Sequence, residues 1–309
     1  MVDISVILAT YDRDEILRQT LDSFCALEVS ELECEFLIVD NACRFATRIL
    51  VEQYSDLLPI TYLEQAKAGK NHALLTAVPL ATGSLLVFTD DDVVVEPTWL
   101  RAFWDGVDRW PSCHLFGGQI WPCYPAGEKI DSAIDLDHPF CKSAYGLASW
   151  QEGEGPISAG KIWGANMAVK RVVIDSGVTF NTDIGPSQKK NYIMGSESTF
   201  LYKAVEQGFS TCYLPEALVH HQIRPEQLQL RWLKGRAERF GRGKALLKRE
   251  HTKLPYLLGA PRFLIRKLAK YKAEMIWYQM SGQSKNFFNS CVEYHIHKGL
   301  FHQYREGVL

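Results

Sequence analysis

The stretch LLVFTDDDVV, Leu85–Val94, decides the fold. Leu85–Thr89 is apolar or β-branched throughout, as in a strand buried on both faces, and three carboxylates follow at once. Working outward, Ile4–Ala9 (ISVILA), Phe36–Val39 (FLIV) and Ile60–Leu63 read as further strands. Between them, Asp12–Leu27 sets Ile16, Leu17, Leu21, Phe24 and Leu27 at helical spacing. Ala46–Tyr54 and Asn71–Val78 read as shorter helices. This βαβα rhythm predicts an α/β fold with a mostly parallel sheet flanked by helices. In such sheets the ligand lies beyond the carboxyl ends of the strands. Those ends read Thr10-Tyr11-Asp12-Arg13, Asp40-Asn41 and Asp90-Asp91-Asp92.

The second half is less periodic. Residues 110–160 are rich in Pro, Gly and aromatics and read as loops and irregular strands. Met167–Val173 reads as a strand, and Glu197–Gln207 as a helix closed by Gly208. Helices are expected over Gln227–Lys248, Pro261–Met280 and Phe287–Gln303. The 309 residues are 47% hydrophobic and 23% charged, which excludes a disordered chain. No apolar run approaches the roughly 18 residues of a membrane span, and a strand begins where a signal segment would lie. Those two observations predict a cytoplasmic protein. Eight cysteines occur without CxxC or zinc-ligand spacing and are expected as reduced thiols. Charge is lopsided: residues 1–223 hold 16 Lys+Arg against 30 Asp+Glu, and residues 224–309 hold 18 against 6.

Adjacent carboxylates repel, so a triplet at a strand end calls for a cation. Mg²⁺ and Mn²⁺ prefer such oxygen ligands and also bind substrate phosphates. In an extended segment Asp90 and Asp92 share one direction while Asp91 points elsewhere. His221 follows the strand-like Ala217–Val219, with His220 facing the opposite side.

Taken together, the chain resembles the inverting glycosyltransferases of family 2, which have the GT-A fold. The matching stretches are SVILATYDRDEILRQTLDSF (Ser5–Phe24), FLIVDNA (Phe36–Ala42), GKNHAL (Gly69–Leu74), LLVFTDDDVVVEPTWL (Leu85–Leu100), WGANMAVKR (Trp163–Arg171), MGSESTFLYKAVEQGF (Met194–Phe209) and LPEALVHHQI (Leu214–Ile223). They run in the family's order over roughly residues 3–245. The resemblance implies a GT-A domain over residues 1–223, with a nucleotide-binding half to about 110 and an acceptor half over 111–223. A basic amphipathic helical extension would follow over 224–309.

The resemblance also implies roles. Thr10, Tyr11 and Arg13 would line the nucleotide pocket, Asp40 would accept a hydrogen bond from the base, and Lys70 and Asn71 would approach the nucleotide or its phosphates. Asp90 would face the ribose and metal region, with Asp91 beside it among the nucleotide-sugar contacts. Asp92 and His221 would hold Mn²⁺ or Mg²⁺. Trp163, Gly164, Ala165 and Asn166 would wall the place where sugar and acceptor meet. Where the family usually has a Glu-Asp pair this chain has Ser196-Glu197, which puts Glu197 at the catalytic base position. The implied partners are a nucleotide-diphospho-sugar donor, UDP-linked by preference, and a saccharide or lipid-linked saccharide acceptor, with no nucleic acid.

Two other functions compete. A sugar-nucleotide pyrophosphorylase would carry a Gly-rich basic loop after the first strand, where this chain reads ATYDRDE. A non-catalytic sugar-nucleotide or glycan-binding module would account for Ser196 in place of the acidic residue. A dinucleotide dehydrogenase is excluded, because no GxGxxG follows the first strand. Finally, Arg231, Lys234, Arg236, Arg239, Arg242, Lys244, Lys248 and Arg249 crowd one stretch, and Arg262, Arg266, Lys267 and Lys270 another. They suit either a peripheral contact with an anionic membrane or a cover packed on the protein itself.

Overall fold

The buried strands pair as their apolar runs demand. β1 (Ile4–Thr10), β2 (Cys34–Asp40), β3 (Ile60–Glu64) and β4 (Leu85–Asp90) are parallel neighbours in the order β3-β2-β1-β4. Each crossover carries a helix: α1 (Asp14–Phe24), α2 (Phe45–Glu52) and α3 (Lys70–Ala77). The computed structural model describes residues 2–187, 191–247 and 255–307.

The register fixes the functional edge. Thr10 stands opposite Asp40, Asp40 opposite Glu64, and Ala9 opposite Asp90, so the polar strand ends form one row. Beyond β4 come β5 (Val93–Val95), α4 (Trp99–Arg109), β6 (Leu115–Cys123), α5 (Pro139–Ala144), β7 (Gly155–Pro156), β8 (Asn166–Lys170), α6 (Arg171–Asp175), α7 (Ser196–Glu206) and β9 (Thr211–Gln222). The sheet continues β4-β8-β6-β9-β5, with β7 on β9. It is therefore mixed: β8 is antiparallel to β4 and β6, while β6 and β9 are parallel.

Period-two alternation separates two cores. Ile4, Val6 and Leu8 face one side with Leu17, Leu21, Phe24, Trp99 and Phe103, while Ile7, Leu37, Val39 and Phe88 face the other with Ala73, Leu74, Phe200 and Leu201.

Two expectations need correcting. The strand expected over Met167–Val173 ends at Lys170, and Arg171–Asp175 is helical. There Arg171 donates to the carbonyls of Gly83 and Ala81, fixing a turn rather than a longer strand. The stretch read as loops and irregular strands holds β6, a regular strand of nine residues in the middle of the sheet. Its Gly117 and Gly118 hid it, because glycine weakens a strand pattern. Both are there for close approach: a Cβ on Gly118 would sit 2.1 Å from the Ala217 carbonyl oxygen, and one on Gly117 2.8 Å from the Ile162 side chain.

The chain divides into two compact units. One is Met1–Tyr124, Gly146–Gln188 and Ser196–Gln222; the other is Pro125–Tyr145, Lys189–Gly195 and Ile223–Leu309. The second unit contains α5, α8 (Leu230–Leu247), the hairpin of β10 (Tyr256–Leu257) and β11 (Ala260–Pro261), α9 (Arg262–Met280) and α10 (Ser284–Glu306). Lys248 and Arg249, expected in the first basic helix, lie outside the described residues. α8 and α10 touch backbone to backbone. A Cβ on Gly299 would lie 1.9 Å from the Glu238 carbonyl oxygen, and one on Gly241 2.0 Å from that of Ile296.

Candidate functional site

The carboxylate triplet sits in the turn from β4 to β5. Val93 pairs with His221 and Val95 with Val219, and the Gln222 amide donates to the Asp92 carbonyl at 2.7 Å. This pairing carries His221 to the triplet, with Nε2 3.4 Å from Asp92 Oδ1. Strand alternation turns His220 the other way, where its Nε2 meets Glu96 at 2.7 Å.

Asp91 and Asp92 are both buried. Thr10 donates its hydroxyl to Asp91 at 2.8 Å, and Arg13 reaches Asp91 at 2.9 Å and Asp92 at 3.3 Å. Burial pushes the Asp91 carboxyl up, the Arg13 guanidinium pulls it back, and the neighbouring Asp92 charge adds to the rise. Burial works against the Arg13 charge, but Asp91 and Asp92 outweigh it and raise its pKa. Thr10 and Arg13, expected to line a nucleotide pocket, thus also hold the acidic turn in place. Tyr11 stands exposed at the strand end.

On the other side of Asp90 is Lys70, at the start of α3. Its ammonium pairs with Asp90 and lies 3.6 Å from Glu197 Oε1. Burial opposes that charge, but Asp90, and after it Glu197, hold the Lys70 pKa above the usual lysine value. A lysine thus bridges the strand-end carboxylates to the expected base.

Glu197 is in the first turn of α7, where the helix dipole favours a carboxylate. Gly164 makes room for it: a Cβ there would lie 2.3 Å from Glu197 Cγ and 2.8 Å from Oε1. Gly164 arrives because β8 runs antiparallel to β4, with Asn166 opposite Thr89. The whole segment Trp163–Asn166 is thereby delivered to the functional edge. Trp163 packs edge-on against Trp150 at 5.7 Å, and the Ala165 carbonyl accepts from Thr89 at 2.8 Å.

Three expected contact residues already have partners within the protein. Asn166 is fully buried: its Oδ1 accepts from Trp99 at 2.8 Å and its Nδ2 donates to Gln119 and Ala217 carbonyls at 2.8 and 2.7 Å. Asn71 donates to the carbonyls of Asn181 and Ile184 at 2.6 and 2.8 Å and accepts from Ser196 at 2.7 Å. Both amides are spent on the fold and position the walls rather than present a free group. Asp40 is fully buried and accepts from the Ala42 amide at 2.8 Å, the Arg44 amide at 2.7 Å and the Tyr62 hydroxyl at 3.0 Å. These three donors fill most of the about four acceptor positions of a carboxylate and fix the turn that follows β2.

Asn41 is the organiser that sequence reasoning missed. It donates to Gln65 and Lys67 carbonyls at 2.6 and 2.9 Å and accepts from the Gly69 amide at 2.7 Å, shaping the loop that delivers Lys70. The only sequence signal was its place at a strand end beside Asp40.

The donor set fits a hard divalent cation. Two ligands on one cation about 2.1 Å away stand about 3 Å apart, close to the Asp92–His221 separation. Among the described residues no group of three His, Cys, Asp or Glu side chains could hold a metal. Asp92 and His221 are the residues that could hold such an ion between them.

The family model Glycosyl transferase family 2 matches residues 5–121. The succinoglycan biosynthesis protein ExoM of Rhizobium meliloti is 26% identical over 257 residues, covering 81% of this chain and 76% of that protein. The mannosyltransferase PcManGT of Pyrobaculum calidifontis, solved with GDP-Man and Mn²⁺, superposes with a TM-score of 0.55 at 20% identity; the match covers 79% of this chain and 64% of that one. TarS residues 1–349 of S. aureus, solved with UDP-GlcNAc, superposes at 0.56 with 13% identity, covering 95% and 91%.

Proposed function

Residues 5–121 match glycosyltransferase family 2 and the chain has the GT-A fold, and from that premise we propose that it is a member of that family and moves a hexosyl group from a nucleotide-diphosphate donor to a hydroxyl acceptor with inversion. The observation that carries this reading is the bridge Asp90–Lys70–Glu197 beside the Asp92–His221 pair. It sets a candidate base next to a candidate diphosphate site. A non-catalytic binding module has no use for a carboxylate given its own glycine-lined space.

The residues divide the work. Asp92 and His221 would hold a divalent cation, which when bound would supply positive charge at the leaving diphosphate. Lys70 adds a second positive charge at that place. Glu197 takes the proton of the acceptor hydroxyl. The freed oxygen lone pair forms the new bond to the anomeric carbon from the far side. The bond to the diphosphate oxygen breaks with its electron pair leaving on the diphosphate. One displacement inverts the anomeric centre without a sugar–enzyme intermediate. Trp163 and the backbone at Gly164 and Ala165 wall the acceptor, and Tyr11 borders the nucleotide.

UDP-sugars are the proposed donors, supported by the resemblance, which puts Asp40 at the position that accepts from the base. The acceptor is proposed to be a saccharide or lipid-linked saccharide of a surface polysaccharide, met at the cytoplasmic face of a membrane. ExoM, a biosynthesis protein for such a polymer, supports that reading.

The test is a donor screen with Mn²⁺ or Mg²⁺ that follows nucleotide-diphosphate release from UDP-, dTDP- and GDP-sugars, with Asp92→Ala as control. Release from one donor, absent in the control, is expected. No release and no metal-dependent binding of any donor would overturn the proposal.

A further inference from the structure

The basic residues of the C-terminal unit are of two kinds. Four of those on α8 are used inside the unit. Arg242 is buried and grips Glu306 at 2.6 and 3.0 Å, Arg236 covers the Trp232 ring, Arg239 covers Tyr192 and Lys244 covers Phe240. A helix whose cations are spent this way has little to offer an outside partner.

α9 is different. One side packs along α10: Leu264 is buried, Tyr271 meets His297 at 5.2 Å, and Glu274 accepts from Ser290 at 3.2 Å. The other side is exposed and patterned. At about 100° per residue, Arg262, Arg266, Lys272, Ile276, Trp277 and Met280 share one arc. All six are exposed, with Ile276 at 55%, Trp277 at 65% and Met280 at 81%. Lys270 borders the arc and is paired with Glu274 at 3.6 Å, and Lys267 is exposed on the far side. Glu274 is the one acid in α9, and it faces α10. At the helix's other end the β10–β11 turn exposes Tyr256, Leu257 and Leu258, the last at 68%. Leu258 has φ +53°, a conformation that turns normally give to Gly or Asn.

We infer that the exposed face of α9 docks the protein on an anionic lipid surface. The helix lies in the interfacial plane, with Ile276, Trp277 and Met280 inserted at one end, the 256–258 turn at the other, and the cations between them on the headgroups. Charge and apolar surface select this partner together: anionic headgroups answer the unopposed cations, and acyl chains answer three large exposed side chains. Nucleic acid would answer the cations but not Ile276 and Met280. No helix among the described residues is long and apolar enough to cross a membrane, so the contact is peripheral. The docking is independent of sugar transfer and is read without a donor.

The full chain is mixed with vesicles of phosphatidylcholine, with and without about a third phosphatidylserine, at about 50 mM salt, where screening is weak. Expected is flotation with the anionic vesicles only. In Ile276→Ser/Trp277→Ser/Met280→Ser, and separately in Arg266→Glu/Lys272→Glu, the partition coefficient falls at least about tenfold, while the circular dichroism melt of either variant stays as in the parent. The inference is overturned if the parent stays with the soluble fraction, if both variants bind like the parent, or if Arg266→Glu/Lys272→Glu abolishes oligonucleotide binding in a chain that ignores vesicles.

Discussion

Replacing Gly164 by alanine tests the site with one methyl group. Gly164 has no left-handed backbone requirement, so alanine adds volume and no strain. The new Cβ would lie 2.3 Å from Glu197 Cγ and 2.9 Å from Cδ, where ordinary contact begins at 3.4 Å. The Glu197 side chain must therefore retreat by about an ångström. Retreat is cheap for the fold, because Glu197 is partly exposed and can rotate. It is costly for the reaction, since a displacement of about 1 Å at a reacting group can lower the rate about 10²-fold, or about 2.7 kcal/mol of barrier. Steady-state kinetics of Gly164→Ala should show kcat down about two decades, with donor KM and Tm nearly unchanged. Adding Glu197→Asp removes one methylene from the crowded side chain and should recover about tenfold of that loss. A kcat for Gly164→Ala within threefold of the parent would refute the reasoning: either Glu197 does not take the proton or this glycine does not place it.

Other consequences follow from named contacts. Glu197→Gln keeps the shape but cannot take a proton, so transfer should fall at least about 10³-fold while donor affinity by calorimetry stays within about twofold. Asp92→Ala and His221→Ala should each abolish the metal dependence of donor binding, seen by titrating Mn²⁺ at fixed donor. Gly299→Ala gains about 1 kcal/mol of helix propensity but meets the Glu238 carbonyl at 1.9 Å. Prying α8 from α10 should leave a net loss of about 2 kcal/mol or more in urea unfolding. His295 is largely buried and burial lowers its pKa to about 4 from 6.5, against a weaker pull from Glu238. The unfolded chain then binds the extra proton between those values. Stability is full above pH 6.5 and is lost as pH falls toward 4, by about 3 kcal/mol. His295→Phe should flatten that part of the stability curve.

Some of this was legible in the chain itself. β1, β2 and β4 are apolar runs that only a covered sheet can hide, and each ends in polar residues, so the functional edge followed from order alone. Alternation put His220 and His221 on opposite sides, and the resemblance chose His221. Resemblance to a family of known layout supplied the residue roles.

Other features had no local signal. β6 does not read as a regular strand because Gly117 and Gly118 are chosen by Ile162 and Ala217, residues far along the chain. Asn71 and Asn166 look like free polar groups until the carbonyls that consume them are in place. The bridge of Lys70 between Asp90 and Glu197 joins residues from three elements. The basic tail looked uniform, yet packing engaged four of the α8 cations within the unit and left those of α9 outward. Periodicity and composition record which face of a segment is apolar, and so they determined the sheet and its edge. Which polar groups satisfy one another is set by non-local packing, and that only the tertiary structure decided.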